Sequence, residues 1–212
     1  MAGVFHRNRI AAGRQALAAE SDAIVTQTLD VTDAASIAAA AATVAKAHGH
    51  LDILVNNAGI LADDPTRKVS EQSLDAWRRT FETNVFGLVA VTQAFLPLLH
   101  RSGAGRIVNV SSILGSVALH GDPASPIYDF KLPAYNVSKS AVNAWTVQLA
   151  YELRDSRIKV NAIHPGYVRT DMNAGEGAMD IPEGARTSVR LALVGEDGPQ
   201  GGFFHFEDRL PW

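Results

Sequence analysis

The chain has 212 residues, enough for one domain that buries most of its apolar surface. It is 47% hydrophobic and 19% charged, with a formal net charge of −3 and no stretch that concentrates Lys and Arg, so the cationic surface needed to bind a nucleic acid is missing. There is no cysteine, which excludes disulfides and thiolate metal sites and makes a reducing cytoplasm the expected setting.

At the start, Met1 to Ile10 carries Arg7 and Arg9 but no long apolar core, so it does not read as a secretory signal. No apolar run is expected to span a bilayer. Gly3 to His6 reads as the end of a strand, and Arg9 to Glu20 as an Ala-rich helix. Ala23 to Leu29 is predicted to be a strand. Thr32 or Asp33 can cap a helix over Ala34 to Ala47, with Gly49 as its stop. Leu51 to Val55 is an apolar strand apart from Asp52. Ser73 can cap a long helix from Leu74 to about His100, with Pro97 kinking or ending it. Arg106 to Val110 is a strand, and Gly115 to Leu132 is irregular. Pro133 can open a helix over Ala134 to Leu153. Ile158 to Ile163 is a strand, Pro182 to Val194 a helix, and Phe203 to Phe206 a last strand. Strands and helices alternate, and the strands lack period-two patterning. That implies an α/β fold: a doubly wound parallel sheet with helices on both faces, in one domain over residues 1–212. Ligands in such sheets bind beyond the carboxyl ends of the strands, which directs attention to Asp30, Asn56 to Gly59, Ser111, Ser112 and His164 to Thr170.

Tyr135 and Lys139 lie four residues apart in a predicted helix, so both side chains fall on one face. A phenol with a pKa near ~10 is a poor acid or base at neutral pH, and a nearby ammonium lowers that value. With a hydroxyl such as Ser112 at a strand end to orient a carbonyl, this is a set for proton transfer during reduction by hydride. A chance pair on an amphipathic helix is the competing reading of the five-residue pattern taken alone. His164 has no companion at metal-ligand spacing and reads as a packing residue, and no metal site is expected.

The wider pattern resembles the short-chain dehydrogenase/reductase family, in particular its carbonyl-reductase-like members. The motifs that carry the resemblance are Leu29-Asp30-Val31, Asn56-Asn57-Ala58-Gly59, Asn84 within Thr83 to Gly87, Ser112, Tyr135 with Lys139, and Pro165-Gly166 followed by Val168 and Thr170. They stand in the family's order, from roughly Arg7 to the C-terminus. The resemblance implies a Rossmann-like fold and an NADP- or NAD-dependent oxidoreductase that reduces a carbonyl or oxidises an alcohol. It assigns Asn84, Ser112, Tyr135 and Lys139 to catalysis. It assigns Asp30, Val31, Asn56, Ala58, Gly59, Tyr135, Lys139, Val168 and Thr170 to the cofactor. Asn56 or Asn57 could instead tie neighbouring strands, and Asp30 could be a turn residue. Arg7 and Arg9 sit where the family meets an adenosine 2′-phosphate, which tilts the expectation towards NADP; solvated arginines are the alternative. A homodimer or homotetramer is implied through the two long helices, with Phe95, Leu98, Trp145 and Leu149 as candidate contact residues.

The sequence departs from the family in two places. The Thr-Gly-x-x-x-Gly-x-Gly turn that holds a pyrophosphate is absent, and by spacing Met1 falls near the family's second strand. The expectation is a domain incomplete at its N-terminus, lacking the first, central strand, with unpaired strand edges beside the gap and weakened cofactor binding. An inactive truncated or mis-started chain, or a non-catalytic scaffold, are the competing functional readings. Second, the gap from Ser112 to Tyr135 is longer than the family's usual one, which reads as an insertion over Leu119 to Leu132 at the mouth of the site.

Overall fold

The structure, a computed structural model, describes residues 2–5, 21 and 23–212. The expected helix Arg9 to Glu20, and with it Arg7 and Arg9, lies outside the described residues. Two parallel strands, β1 (Ala2–Phe5) and β2 (Val25–Thr28), pair with each other. A second sheet runs β3 (Ile53–Asn56), β4 (Arg106–Val110), β5 (Lys159–Ile163), β6 (Phe203–His205) and β7 (Asp208–Arg209), parallel except for the β6–β7 pair. The helices are α1 (Ala34–His48), α2 (Leu74–Phe81), α3 (Leu88–Leu99), α4 (Val117–Gly121), α5 (Pro133–Glu152) and α6 (Ile181–Ala192).

Successive strand residues point to opposite faces, and the packing follows that alternation. Ile107 and Val160 join Leu99, Leu149 and Leu153 in a core under α3 and α5. Val108 and Ile163 point the other way, into a core with Leu191 and Phe204 under α6 and β6. A third cluster, Leu29, Ile37, Ala40, Val91, Phe95 and Leu98, joins β2 to the main sheet through α1 and α3. The fold is therefore doubly wound, Rossmann-like α/β. Among the described residues no strand pairs with the outer edge of β3, and its Ile53 and Val55 are 37% and 41% exposed. The described strands thus form two separate sheets.

Local chemistry sets the helix ends. Asp33, rather than Thr32, caps α1, its carboxylate accepting from Ala35 N at 2.9 Å, and Gly49 closes it at φ 74°. Ser73 caps α2. The single long helix expected from Leu74 is instead split by a π-helical turn, Glu82–Gly87, with Asn84 at its centre. Pro97 does not end α3 on the spot, because the helix continues to Leu99. By length and composition Leu74–Leu99 could cross a membrane, against the sequence expectation, but half of it is buried in the fold and Thr80, Thr83, Asn84 and Thr92 are buried within it. That is the pattern of a core helix.

Two further expectations are corrected. Phe95, Leu98 and Leu149 are core residues, 2–6% exposed, so these three offer no contact face to a second subunit, while Trp145 is partly buried beside the cluster that holds Leu149. The segment read as irregular, Gly115 to Leu132, includes α4 and is tied down. Ala118 N donates to the carbonyl of Trp212, Asn136 Nδ2 donates to the carbonyl of Phe130, and Ile127 is buried.

Gly115 allows α5 its close approach. A Cβ there would stand 2.8–3.0 Å from the carbonyl carbon, carbonyl oxygen and Cβ of Lys139. Gly115→Ala is expected to push α5 off β4 and to cost about 1–3 kcal/mol, as overpacking does. Urea unfolding of the variant beside the wild type measures this, and an unchanged midpoint would show that the helix lies looser than described.

Candidate active site

The site forms where β3 and β4 end and α5 crosses them. After β4 the chain places two serines with different tasks. Ser111 Oγ donates to the carbonyl of Lys139 at 3.2 Å and locks the helix to the strand. Ser112, 7% exposed, accepts from Leu114 N at 3.2 Å, and its hydroxyl is near enough to the Tyr135 phenol to favour the phenolate. Tyr135 is buried, and burial pushes its phenol above the ordinary value near 10, with the Ser112 hydrogen bond acting in the opposite direction. The sequence expectation is that a nearby ammonium lowers the phenol's pKa; in the fold burial acts first, in the opposite direction. The Lys139 ammonium stands 5.6 Å from the ring centroid.

Lys139 Nζ donates to the carbonyl of Val110 at 2.8 Å, its one hydrogen-bond acceptor among the described residues. Among the described residues no carboxylate pairs with it, and burial lowers its pKa to about 8. Gly59 lies next to it: a Cβ at that position would be 3.4 Å from Lys139 Nζ and 3.5 Å from Asn84 Oδ1. The π-turn swings Asn84 inward, where Oδ1 accepts from Ile60 N at 2.8 Å while Nδ2 donates to the carbonyl of Ile60 at 2.9 Å and to Ser138 Oγ at 3.0 Å. Asn84, Ser112, Tyr135, Lys139 and Gly59 thus lie together, with Asn84 reaching the helix through Ser138 rather than through Lys139.

The remaining candidates are spread along the strand ends. Asn56 is buried, and its Nδ2 donates to Thr92 Oγ1 and Asn109 Oδ1, both at 2.9 Å, so its side chain ties β3 to β4 and α3. Asn57 and Ala58 are exposed beyond the strand. Asp30 forms a turn in which its carboxylate accepts from Thr32 N and Oγ1 at 3.0 and 2.7 Å. Val31 packs on the π-turn, so tightly that a Cβ on Gly87 would be 2.8 Å from its carbonyl oxygen. Val168 bridges to Met179 and covers Gly184, and the exposed Thr170 donates its N–H to Asn173 Oδ1 at 3.0 Å. His164 lies against His205, rings 4.8 Å apart; burial and that neighbour lower its pKa to about 3, which keeps it neutral. Sequence reasoning missed Ser138, Asn109, Gly115 and Asp63. Asn109, a polar residue inside an apolar strand, was the one with a visible signal.

Lys139 has donors left over after Val110, and Gly59 leaves room above it. That donor set fits the hydroxyls of a nicotinamide ribose. A glycine-rich holder for a pyrophosphate is not found among the described residues.

A family model described as short chain dehydrogenase matches residues 4–180. The short-chain dehydrogenase anuI of Penicillium roqueforti is 42% identical over 173 residues, which cover 79% of this chain and 67% of that protein. The (−)-isopiperitenone reductase of Mentha piperita is 34% identical, covering 85% of this chain and 78% of its own. Among solved structures, the carbonyl reductase Sniffer of D. melanogaster superposes with a TM-score of 0.85 at 28% identity over 100% of this chain and 87% of its own. An NADPH-bound carbonyl reductase from chicken fatty liver does so at 0.80 and 30% identity, over 95% and 82%.

The depressed pKa of Lys139 has a consequence for stability. Between about 8 and the usual lysine value of 10.5 the unfolded chain binds a proton that the folded chain has released, so stability from this group rises with pH across that window. The difference in unfolding free energy between wild type and Lys139→Met should therefore grow in favour of wild type from pH 8 to 10.5, by on the order of a few kcal/mol. Denaturant titrations at several pH values measure it; a flat difference would mean that Lys139 titrates normally.

Proposed function

Because the chain belongs to the short-chain dehydrogenase family, and is therefore an NAD(P)-dependent oxidoreductase of carbonyl or alcohol substrates, we propose that Tyr135 is its proton donor, Ser112 its carbonyl-orienting hydroxyl, Lys139 its ribose ligand and Asn84 the residue that braces them. The observation that carries this reading is that a buried phenol, with Ser112 close by at the end of β4, stands one helical turn from a buried amine that donates to the last carbonyl of that strand. A carbonyl oxygen placed between Ser112 Oγ and Tyr135 OH receives two hydrogen bonds, and the phenol proton passes to it as negative charge develops. A nicotinamide cofactor, when bound, supplies the hydride for reduction or accepts it in the reverse direction. Lys139 and Tyr135 would hold its ribose, while Gly59, Ala58, Asn56, Val31 and Asp30 would line its path along the strand ends. Val168 and Thr170 would flank the nicotinamide. NADP is favoured over NAD by the NADPH-bound chicken carbonyl reductase and by Arg7 and Arg9 in the sequence.

The substrate is a small carbonyl or alcohol compound, the class named for the relatives. A cytoplasmic homodimer or homotetramer completes the proposal, supported by the cysteine-free composition and by exposed Phe86, Val137 and Tyr151 on the long helical segments. Light scattering should give at least twice the monomer mass of 22.6 kDa; a monodisperse monomer refutes the assembly.

Tyr135→Phe keeps the ring and removes the proton. Turnover with a carbonyl substrate and NADPH should fall by roughly 10²–10⁴-fold, the range for a general acid, while NADPH affinity by fluorescence titration stays within a few-fold. Turnover close to wild type would eliminate Tyr135 as the donor.

A further inference from the structure

We infer that Asp63 is a positioning residue for proton transfer: its buried carboxylate holds the backbone of Tyr135 itself and so sets where the phenol stands. The start of α5 lacks a cap of its own. Leu132 precedes it without a side-chain hydrogen bond, and Pro133 at the first position has no N–H. The next two backbone donors, Ala134 N and Tyr135 N, are both taken by Asp63, at 2.8 Å to Oδ1 and 2.9 Å to Oδ2. These partners are 71 and 72 residues away in sequence. The carboxylate is 7% exposed, and each oxygen serves a different peptide, so its plane and the first turn of the helix orient each other. A negative charge also suits a helix N-terminus.

Asp63 ends a short strap that meets the site at three of its residues. Gly59 borders Lys139 and Asn84, Ile60 is gripped at both N–H and carbonyl by Asn84, and Asp63 takes Tyr135. The adjacent carboxylate does none of this. Asp64 faces Thr66 and Arg67 at the surface, accepting from Thr66 N and Oγ1 at 2.9 and 2.6 Å. The pair therefore supplies its own control. If Asp63 is lost, the Tyr135 backbone is free to shift, and a displacement of about an ångström at a reacting group can cost on the order of 100-fold in rate.

The inference rests on the reading of Tyr135 as proton donor, so both are tested together with Asp63→Ala, Asp63→Asn, Asp64→Ala, Tyr135→Phe and the Asp63→Ala/Tyr135→Phe double variant. With a carbonyl substrate and NADPH, Asp63→Ala should lower kcat by roughly 10–100-fold and change KM by no more than about 3-fold, because the group acts on geometry in the reacting state. Asp63→Asn, which keeps one acceptor oxygen, should recover part of the loss, and Asp64→Ala should match wild type. The double variant should be no slower than Tyr135→Phe alone, since both act through one proton. In the cofactor-free chain, amide exchange at Ala134 and Tyr135 should quicken in Asp63→Ala. The Tyr135 phenol, followed by NMR of ¹³C-labelled tyrosine, should titrate nearer its ordinary value as the helix start loosens. Wild-type kcat and an unmoved phenol titration in Asp63→Ala, whatever its melting temperature, would reduce Asp63 to a structural cap and overturn the inference. If Asp63→Ala does not fold, Asp63→Asn decides, and wild-type kcat there overturns it. Active Tyr135→Phe would sink the proton-donor reading instead; inactive Tyr135→Phe beside fully active Asp63→Ala sinks the Asp63 inference alone.

Discussion

The site depends on how closely α5 lies on the end of β4. The contact is polar as well as tight. Gly115 meets the helix backbone at Lys139 without a side chain between them, and its carbonyl accepts from Ser140 Oγ at 2.9 Å and Asn143 Nδ2 at 3.2 Å. Ser111 donates to the carbonyl of Lys139, and Lys139 reaches back to the carbonyl of Val110. Strand, turn and helix are thereby stitched at four points within a few residues. A buried ammonium without a counter-charge costs stability, and it persists here because the surrounding packing holds it in place. Move the helix and the amine, the phenol and the serine all lose their relation.

A second polar network serves the same end from inside the sheet. Asn56, Thr92, Asn109 and Thr146 form a chain: Asn56 donates to Thr92 and Asn109, and Asn109 donates to Thr146 at 2.9 Å. It links β3, α3, β4 and α5 beneath the site. Each of these groups is buried and hydrogen-bonded, so the network specifies one arrangement of strands and helices instead of the many an apolar contact would tolerate. The connection from Ser112 to Tyr135 is held separately, by His120 against the carbonyl of Leu114 and by Asn136 donating to the carbonyl of Phe130.

Much of this was legible in the residues. The alternation of strands and helices, the Asp33, Ser73 and Gly49 boundaries, Pro133 at the head of α5 and the spacing of Tyr135 to Lys139 all follow from local propensity and periodicity. What escaped has a common cause. Asp63 and Asp64 are identical neighbours, and only the third dimension tells which one meets α5 and which one turns to Thr66. The π-turn showed only in the poor helix propensity of Asn84, because a helical period continues on both sides of it. Phe95, Leu98 and Leu149 looked equally suited to a core and to an interface, since an apolar helix face carries no label for what covers it. The role of Asn56 was ambiguous in the same way: an amide at a strand end can point to a ligand or to a neighbour.

The phenol shows most clearly why proximity in sequence is a weak guide to electrostatics. Four residues of helix place Lys139 beside Tyr135, and from that spacing alone the ammonium should draw out the phenol's proton. In the fold the ammonium sits under the ring, 5.6 Å from its centroid, and is directed to Val110, while the phenol is buried. Desolvation then opposes any phenolate more than Ser112 supports it. On the proposed reading, a phenol that keeps its proton is the form that carbonyl reduction requires. Alcohol oxidation would have to begin by removing that proton against the burial that holds it. Burial brings Lys139 itself down to about 8, and its ammonium is held by the carbonyl of Val110.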